Sequence, residues 1–228
     1  IQLSDVEHVV LEGLEIAGSP TNGLNLDDGG SYETPSRHVV LRNLLVRDTG
    51  ARGNEDGIKL SGVEDFLIEG CTVLSWGRGG SAIDMVGCRR GRIERSTFRD
   101  REVDPAATGV QAKGGTHDVW IRTSRFEHAG RRAVHLGGST ALAFFRPAPA
   151  GFEARAIAVE GCTFLGSEAP IAFTGCDGAL VRRNTFIEPR KWFLRILQET
   201  REEGFVPCRG GVFEENLVVW KARDVQTP

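Results

Sequence analysis

Seven short segments of this chain carry an apolar residue on either side of a central one: GLNL from Gly23, GIKL from Gly57, AIDM from Ala82, GVQA from Gly109, AVHL from Ala133, PIAF from Pro170 and FLRI from Phe193. In an extended strand the two apolar positions point one way and the residue between them points the other. The central residues Asn25, Lys59, Asp84, Gln111, His135, Ala172 and Arg195 therefore form one outward series of cations, a carboxylate, amides and an imidazole. Two residues further on, a second outward series reads Asp27, Ser61, Val86, Lys113, Gly137, Thr174 and Leu197. Lys113 has Val86 and Gly137 as its column neighbours, so nothing within the column neutralises its ammonium. A lysine so placed can lose its proton and serve as a base.

Cleavage of a uronic-acid polymer by β-elimination needs three things. The carboxylate must be neutralised so that the C5 proton becomes acidic, a base must take that proton, and an acid must protonate the departing oxygen. Lys113 fits the base and His135 the acid, their Cα atoms being about 8 Å apart if one coil step and two residues separate them. Gln111, with Lys59 or Arg195, can hold the carboxylate, and Asn25 and Asp84 complete the polar floor. Hydrolysis would instead need two carboxylates flanking the scissile bond. Asp84 is the only acid at the middle of the floor. Asp27-Asp28 and Asn54-Glu55-Asp56 could bind Ca²⁺ through oxygen ligands, or could simply build Asx turns. Tyr32 lies in a loop too far along the chain to act beside Lys113 unless that loop folds over.

These residues can meet only if the segments stack, and a second repeat predicts that they do. Eight bends recur: VVLEGLEI from Val9, VVLRNLLV from Val39, FLIEGCTV from Phe66, GRIERSTF from Gly91, VWIRTSRF from Val119, IAVEGCTF from Ile157, ALVRRNTF from Ala179 and GVFEENLV from Gly211. Their equivalent positions Gly13, Asn43, Gly70, Arg95, Thr123, Gly161, Arg183 and Glu215 fall 22 to 38 residues apart, which is the signature of stacked supersecondary units. Alternation of period two excludes helices within each copy. The expected fold is all-β, a right-handed parallel β-helix of about eight coils forming a single domain over residues 1–228. The chain opens inside the repeat, so an N-terminal cap or earlier coils are expected to precede it.

The loops Asp28 to Arg37, Gly138 to Arg155 and Glu199 to Gly210 are long, and are expected to wall a cleft over the shorter-looped coils between them. Five cysteines without CxxC spacing suggest neither a disulfide framework nor a zinc site, and Cys71, Cys162, Cys88 and Cys176 read as reduced core thiols. A net charge of -3 gives no reason to expect a nucleic-acid partner, and Arg89, Arg90, Arg92 and Arg95 read as a solvated turn. No apolar stretch approaches the length of a membrane span.

The repeated bend followed by G-I-x-L resembles the right-handed parallel β-helix of the pectate-lyase-like superfamily, and the resemblance implies three strands per coil. The segment GVQAKGGTHDVWIRTSRFEHAGRRAVHLGG from Gly109 is similar to the catalytic stretch of the family of chondroitinase B and alginate lyases. In that family a lysine is the base and an arginine one coil later assists. Lys113 falls on that lysine, whereas the arginine falls on Gly137 and the calcium-holding acids on Ala106 and Thr108. The resemblance implies a secreted or periplasmic lyase acting on an acidic polysaccharide. A noncatalytic polysaccharide-binding β-helix and a β-helical glycoside hydrolase are the alternatives.

Overall fold

The computed structural model describes residues 1–50, 53–148 and 150–221. One residue in each coil controls its local course. The eight anchors Gly13, Asn43, Gly70, Arg95, Thr123, Gly161, Arg183 and Glu215 all take left-handed backbone, with φ between 46° and 67°. A single left-handed residue between two extended segments turns the chain while leaving both segments free to pair. Five of the eight are not glycine, and each bears a cost of about 1 kcal/mol. Hydrogen bonds to the next coil offset that cost: the Asn43 N–H donates to the Glu69 carbonyl at 2.9 Å and the Thr123 N–H to the Glu160 carbonyl at 3.1 Å.

Three parallel sheets result, in a right-handed β-helix whose only other regular element among the described residues is a 3-10 turn over Leu142–Phe144. The ladder sheet contains Gln2–Ser4, Leu24–Asp27, Ile58–Ser61, Ser81–Val86, Thr108–Lys113, Arg132–Gly137, Ala169–Thr174 and Leu194–Leu197, paired in chain order. Its first rung lies ahead of the seven read from the sequence, because Gln2–Ser4 is too short to show alternation. From each ladder strand the chain passes to the second sheet (Val10–Glu12 through Arg209–Glu214), rounds the anchor, and enters the third sheet (Glu15–Ala17 through Leu217–Val219).

Parallel register stacks like on like inside the coils. Phe98, Phe126, Phe164 and Phe186 of the third sheet form a column with ring centroids 4.6 to 5.0 Å apart, close to the interstrand spacing. Just after the anchors a polar column forms: the Cys71 and Ser96 N–H groups donate to Ser96 Oγ and Ser124 Oγ, and the Cys162 N–H donates to Asn184 Oδ1 at 2.9 Å. Cys71, Cys88, Cys162 and Cys176 are buried and unbridged, and burial pushes the Cys88 and Cys162 thiols up to about 12. The arginine cluster of the third coil is neutralised, with Arg89 and Arg90 on Glu64, Arg90 also on Asp65, and Arg95 on Glu69. Among the described residues no helix is long and apolar enough to cross a membrane.

Two glycines test this account of the backbone. A Cβ at Gly137 (φ 104°) would overlap the Thr174 carbonyl oxygen of the next coil, whereas one at Gly13 (φ 67°) would meet open space. Gly137→Ala is expected to cost on the order of 3 kcal/mol or more and Gly13→Ala only about 1 kcal/mol. Equal losses of stability in chemical denaturation would contradict this assignment of the close approach.

Candidate functional site

The outward series forms as one hydrogen-bonded ladder: Asn25 lies beside Lys59, then follow Asp84, Gln111, His135, Ala172 and Arg195 in register. Gln2 adds a rung ahead of Asn25, and its Oε1 accepts from Asn25 Nδ2 at 2.8 Å. The centre of the ladder is not open to solvent, however. Asp84 is 2% exposed, Gln111 9% and His135 3%.

His135 therefore does not present its ring to a substrate. Gln111 Nε2 donates to the Gly137 carbonyl at 3.2 Å, which identifies it as the amide nitrogen, so at its 3.1 Å contact with His135 Nδ1 the ring must accept. The ring proton is then on Nε2, which donates to Thr174 Oγ1 at 2.9 Å. Burial, and then the charges of Arg132, Lys113 and Arg195, hold this imidazole down to about 3. A neutral histidine with both nitrogens engaged is a poor proton donor, so the acid role expected of it finds no support here. Gln111, committed to the same network, has little left with which to hold a substrate carboxylate.

Lys113 is not isolated either. Its ammonium lies 3.2 Å from Asp84 Oδ2, diagonally across the ladder, and Lys59 pairs with the same oxygen. The contact joins residues that are not column neighbours, Lys113 being paired in register with Val86. Lys59 also lies 3.8 Å from Asp56 Oδ2. Burial pulls the Lys59 ammonium down, but Asp84 and Asp56 outweigh it and hold it above its ordinary value. Burial and then the Asp84 charge push the Asp56 carboxyl up to about 7, against the opposing pull of Lys59. Asp84 Oδ1 is buried and has no donor among the described residues. The two lysines remain 22% and 23% exposed at the side chain, so what faces outward is a pair of ammonium groups seated on a buried carboxylate.

The long loops pack down instead of standing as walls. Gly138 passes over the floor so closely that a Cβ there would stand 2.8 Å from Gln111 Nε2 and 3.5 Å from Lys113 Cδ. Arg146 of the same loop reaches back to the first coil, pairing its Nη2 and Nε with Asp28 Oδ1 and Oδ2 at 2.9 and 2.7 Å. Glu153, 1% exposed, gathers three segments: its carboxylate accepts from the Gly114 N–H, the Thr140 N–H and hydroxyl, and the Thr200 hydroxyl, at 2.6 to 2.9 Å. This latch grips the backbone immediately after Lys113. Tyr32 folds over to accept from Arg89 at 2.6 Å, on the second sheet and away from Lys113.

Pairings within the protein engage Asp27, Asp28 and Asp56 of the carboxylates considered for Ca²⁺. Asp28 is spent on Arg146, and Asp27 accepts from Gln2, Asn25 and the Gly29 N–H in an Asx turn. Asp56 accepts the Ser81 N–H at 2.7 Å. Among the described residues no group of three or more His, Cys, Asp or Glu side chains is arranged to hold a metal ion.

No family model matches the chain, and no curated protein does. Among solved structures it is similar to the tailspike protein of E. coli bacteriophage HK620 in complex with a pentasaccharide, with a TM-score of 0.51 and 13% identity over 97% of this chain and 52% of the tailspike. A double mutant of that tailspike, also with the pentasaccharide, gives the same figures. The fold is tailspike-like. The chain spans about half the length of the tailspike it matches, and at this identity the likeness speaks for the fold alone.

Beside this ladder stand Arg132 and Trp192, which the sequence pattern did not single out. Arg132 begins the fifth-coil ladder strand, out of phase with the outward series, and Trp192 lies just before the strand that bears Arg195. Their signal in the sequence, a cation or aromatic residue at or shortly before the start of a ladder strand, is weak.

Opposing proton linkages provide a test of the buried groups. Asp56 binds its proton more tightly folded than unfolded, so its contribution is fully present below about pH 4 and is lost as pH rises through about 7. His135 behaves oppositely: its contribution is present above about pH 6.5 and is lost as pH falls through about 3. Between pH 4 and 6.5 the two nearly cancel. Denaturant unfolding should show Asp56→Asn becoming more stable with rising pH across that window relative to wild type, and His135→Gln less stable. Parallel pH profiles for all three proteins would disprove the assignment.

Proposed function

We propose that this chain is a carbohydrate-active β-helix that takes an acidic polysaccharide along its ladder sheet and cleaves it by β-elimination, with Lys113 as the base. The observation that carries this reading is the shared carboxylate. Lys59 and Lys113 both reach outward from Asp84, so the floor offers two adjacent cations to a ligand carboxylate although the chain carries net negative charge. Because Lys59 alone neutralises Asp84, a proton can leave Lys113 without stranding a buried anion.

In the reaction Lys59, still paired with Asp84, donates hydrogen bonds to the uronate carboxylate, in the part that Gln111 was expected to share. Lys113, as the free amine, takes the C5 proton. The electron pair forms the C4–C5 double bond, the C4–O bond breaks, and the new ammonium returns its proton to the departing oxygen. One group thus serves as base and acid, which dispenses with His135. Asn25 and Arg195 extend the contact surface in either direction along the ladder. The partial likeness of the Gly109 segment to the chondroitinase B and alginate lyase family, and the pentasaccharide held by the tailspike neighbour, support a glycan ligand. A secreted or periplasmic location goes with such a ligand.

Hydrolysis is the second reading, favoured by the meeting of Asp56, pushed up to about 7, with Asp84 around Lys59. Against it, both carboxyls are buried behind the lysines.

Incubation with alginate, chondroitin, pectate and ulvan should generate unsaturated uronate absorbance on at least one polymer. Lys113→Ala is expected to lower kcat at least 100-fold on that polymer, and Lys59→Ala to weaken binding about tenfold. New reducing ends without the absorbance would replace elimination by hydrolysis. Binding without either product would leave a noncatalytic binder. Wild-type turnover by Lys113→Ala would remove Lys113 from the mechanism.

A further inference from the structure

The cations of the ladder face fall into two kinds. Those of the second and fourth coils, Lys59 and Lys113, are seated on Asp84. Those of the fifth and seventh coils, Arg132 and Arg195, form no ion pair and donate no side-chain hydrogen bond to any protein group among the described residues, although both are only partly exposed. Most arginines elsewhere on this surface do find a carboxylate, as Arg42, Arg47, Arg89, Arg90, Arg155, Arg182 and Arg209 show. A partly desolvated guanidinium with its donors unused is costly to keep, and a planar oxyanion satisfies it with two parallel hydrogen bonds.

The two guanidinium groups belong to one neighbourhood. Burial first, and the Arg195 charge among its neighbours, lower the Arg132 guanidinium, while Glu199 and Glu168 act in the opposite sense without pairing with it. The neutral His135 shares the strand of Arg132, and the small Ala172 occupies the one rung between that strand and Arg195 without adding charge. Trp192 completes the patch. Its indole lies 5.1 Å from the Arg195 guanidinium carbon and 4.3 Å from the Lys191 ammonium, and the residue is 36% exposed. An aromatic face beside an unpaired arginine suits a sugar that is apolar across its ring C–H groups and anionic at its edge.

We propose that Arg132, Arg195 and Trp192 form a second subsite that binds one uronate residue of the same polysaccharide, its carboxylate in the arginine forks and its ring against the indole. This rests on the ladder reading above and extends it. Lys113 and Arg195 are three coils apart, about 14 Å at the interstrand spacing, so one ligand must be an oligomer to reach both. The paired lysines hold the residue that reacts, and the unpaired arginines hold the chain beyond it. Short ligands therefore cannot use both ends at once.

The test is calorimetric titration with uronate disaccharides and hexasaccharides prepared from alginate and from pectate. Wild type, Arg132→Gln/Arg195→Gln, Trp192→Ala and Lys59→Ala/Lys113→Ala are compared. Neither arginine has a carboxylate or hydrogen-bond partner to lose, only the Arg195 contact with the Trp192 ring, so the arginine variant should unfold close to the wild-type midpoint. It is expected to bind the better hexasaccharide at least tenfold more weakly than wild type, and to lose most of the gain that wild type shows on going from disaccharide to hexasaccharide. Trp192→Ala should weaken the hexasaccharide severalfold. Hexasaccharide affinity unchanged in the arginine variant would overturn the subsite while leaving the lysine site intact. Loss in the arginine variant with none in the lysine variant would uphold the subsite and overturn the ladder reading. Absence of hexasaccharide binding by wild type would overturn both.

Discussion

The parallel hydrogen-bonded register between coils is the constraint from which the rest of this structure follows. Each coil must return to within one interstrand spacing of the last, and it does so by turning at a left-handed anchor whose N–H is captured by the next coil. Once that pairing is set, every side chain has an equivalent above and below it at about 4.8 Å. Aromatic rings at that distance stack, and Phe98, Phe126, Phe164 and Phe186 do so. Charges at that distance must alternate or be shared, and on the second sheet Arg42 and Glu69, like Glu160 and Arg182, meet as opposite neighbours.

The ladder sheet departs from simple alternation, and its departures define the candidate site. Two lysines share Asp84 because one lies beside it in register and the other reaches it diagonally from two residues along the next strand. Asp56 is drawn into the same group from the turn before the second-coil strand. Further along, three cations surround a histidine that stays neutral because burial and their combined charge both oppose its protonation. Neutral His135 then becomes a spacer that ties Gln111 to Thr174, and the outward column regains a cation at Arg195. In the proposed glycan complex, a floor with paired cations at one end and unpaired ones at the other would treat two sugar residues differently, which a uniform ladder would not.

Glu153 shows how the loops serve this floor. A carboxylate buried to this degree is tolerable only when its lone pairs are filled, and four donors from three separate segments fill them. The long loops are thereby drawn down onto the strand end that carries Lys113. Arg146, paired with Asp28 from 118 residues away, holds the other side of the same loop against the first coil.

The sequence by itself determined the coil. Eight anchors, seven of the eight ladder strands and the order of residues along the ladder could be read because period-two alternation and a left-handed turn are local properties, and parallel stacking converts equivalent positions into neighbours. It also named Lys59, Asp84, Lys113, His135 and the amides that lie with them. Only the tertiary structure decided how those residues are paired. Burial of His135, the diagonal Lys113 contact with Asp84, the diversion of Asp28 to Arg146, and the exposure of Arg132 and Trp192 beside Arg195 all depend on where loops of irregular length come to rest. Loop placement is set by contacts between residues far apart in the chain, as the 118-residue separation of Arg146 and Asp28 shows, and such contacts leave no periodic trace.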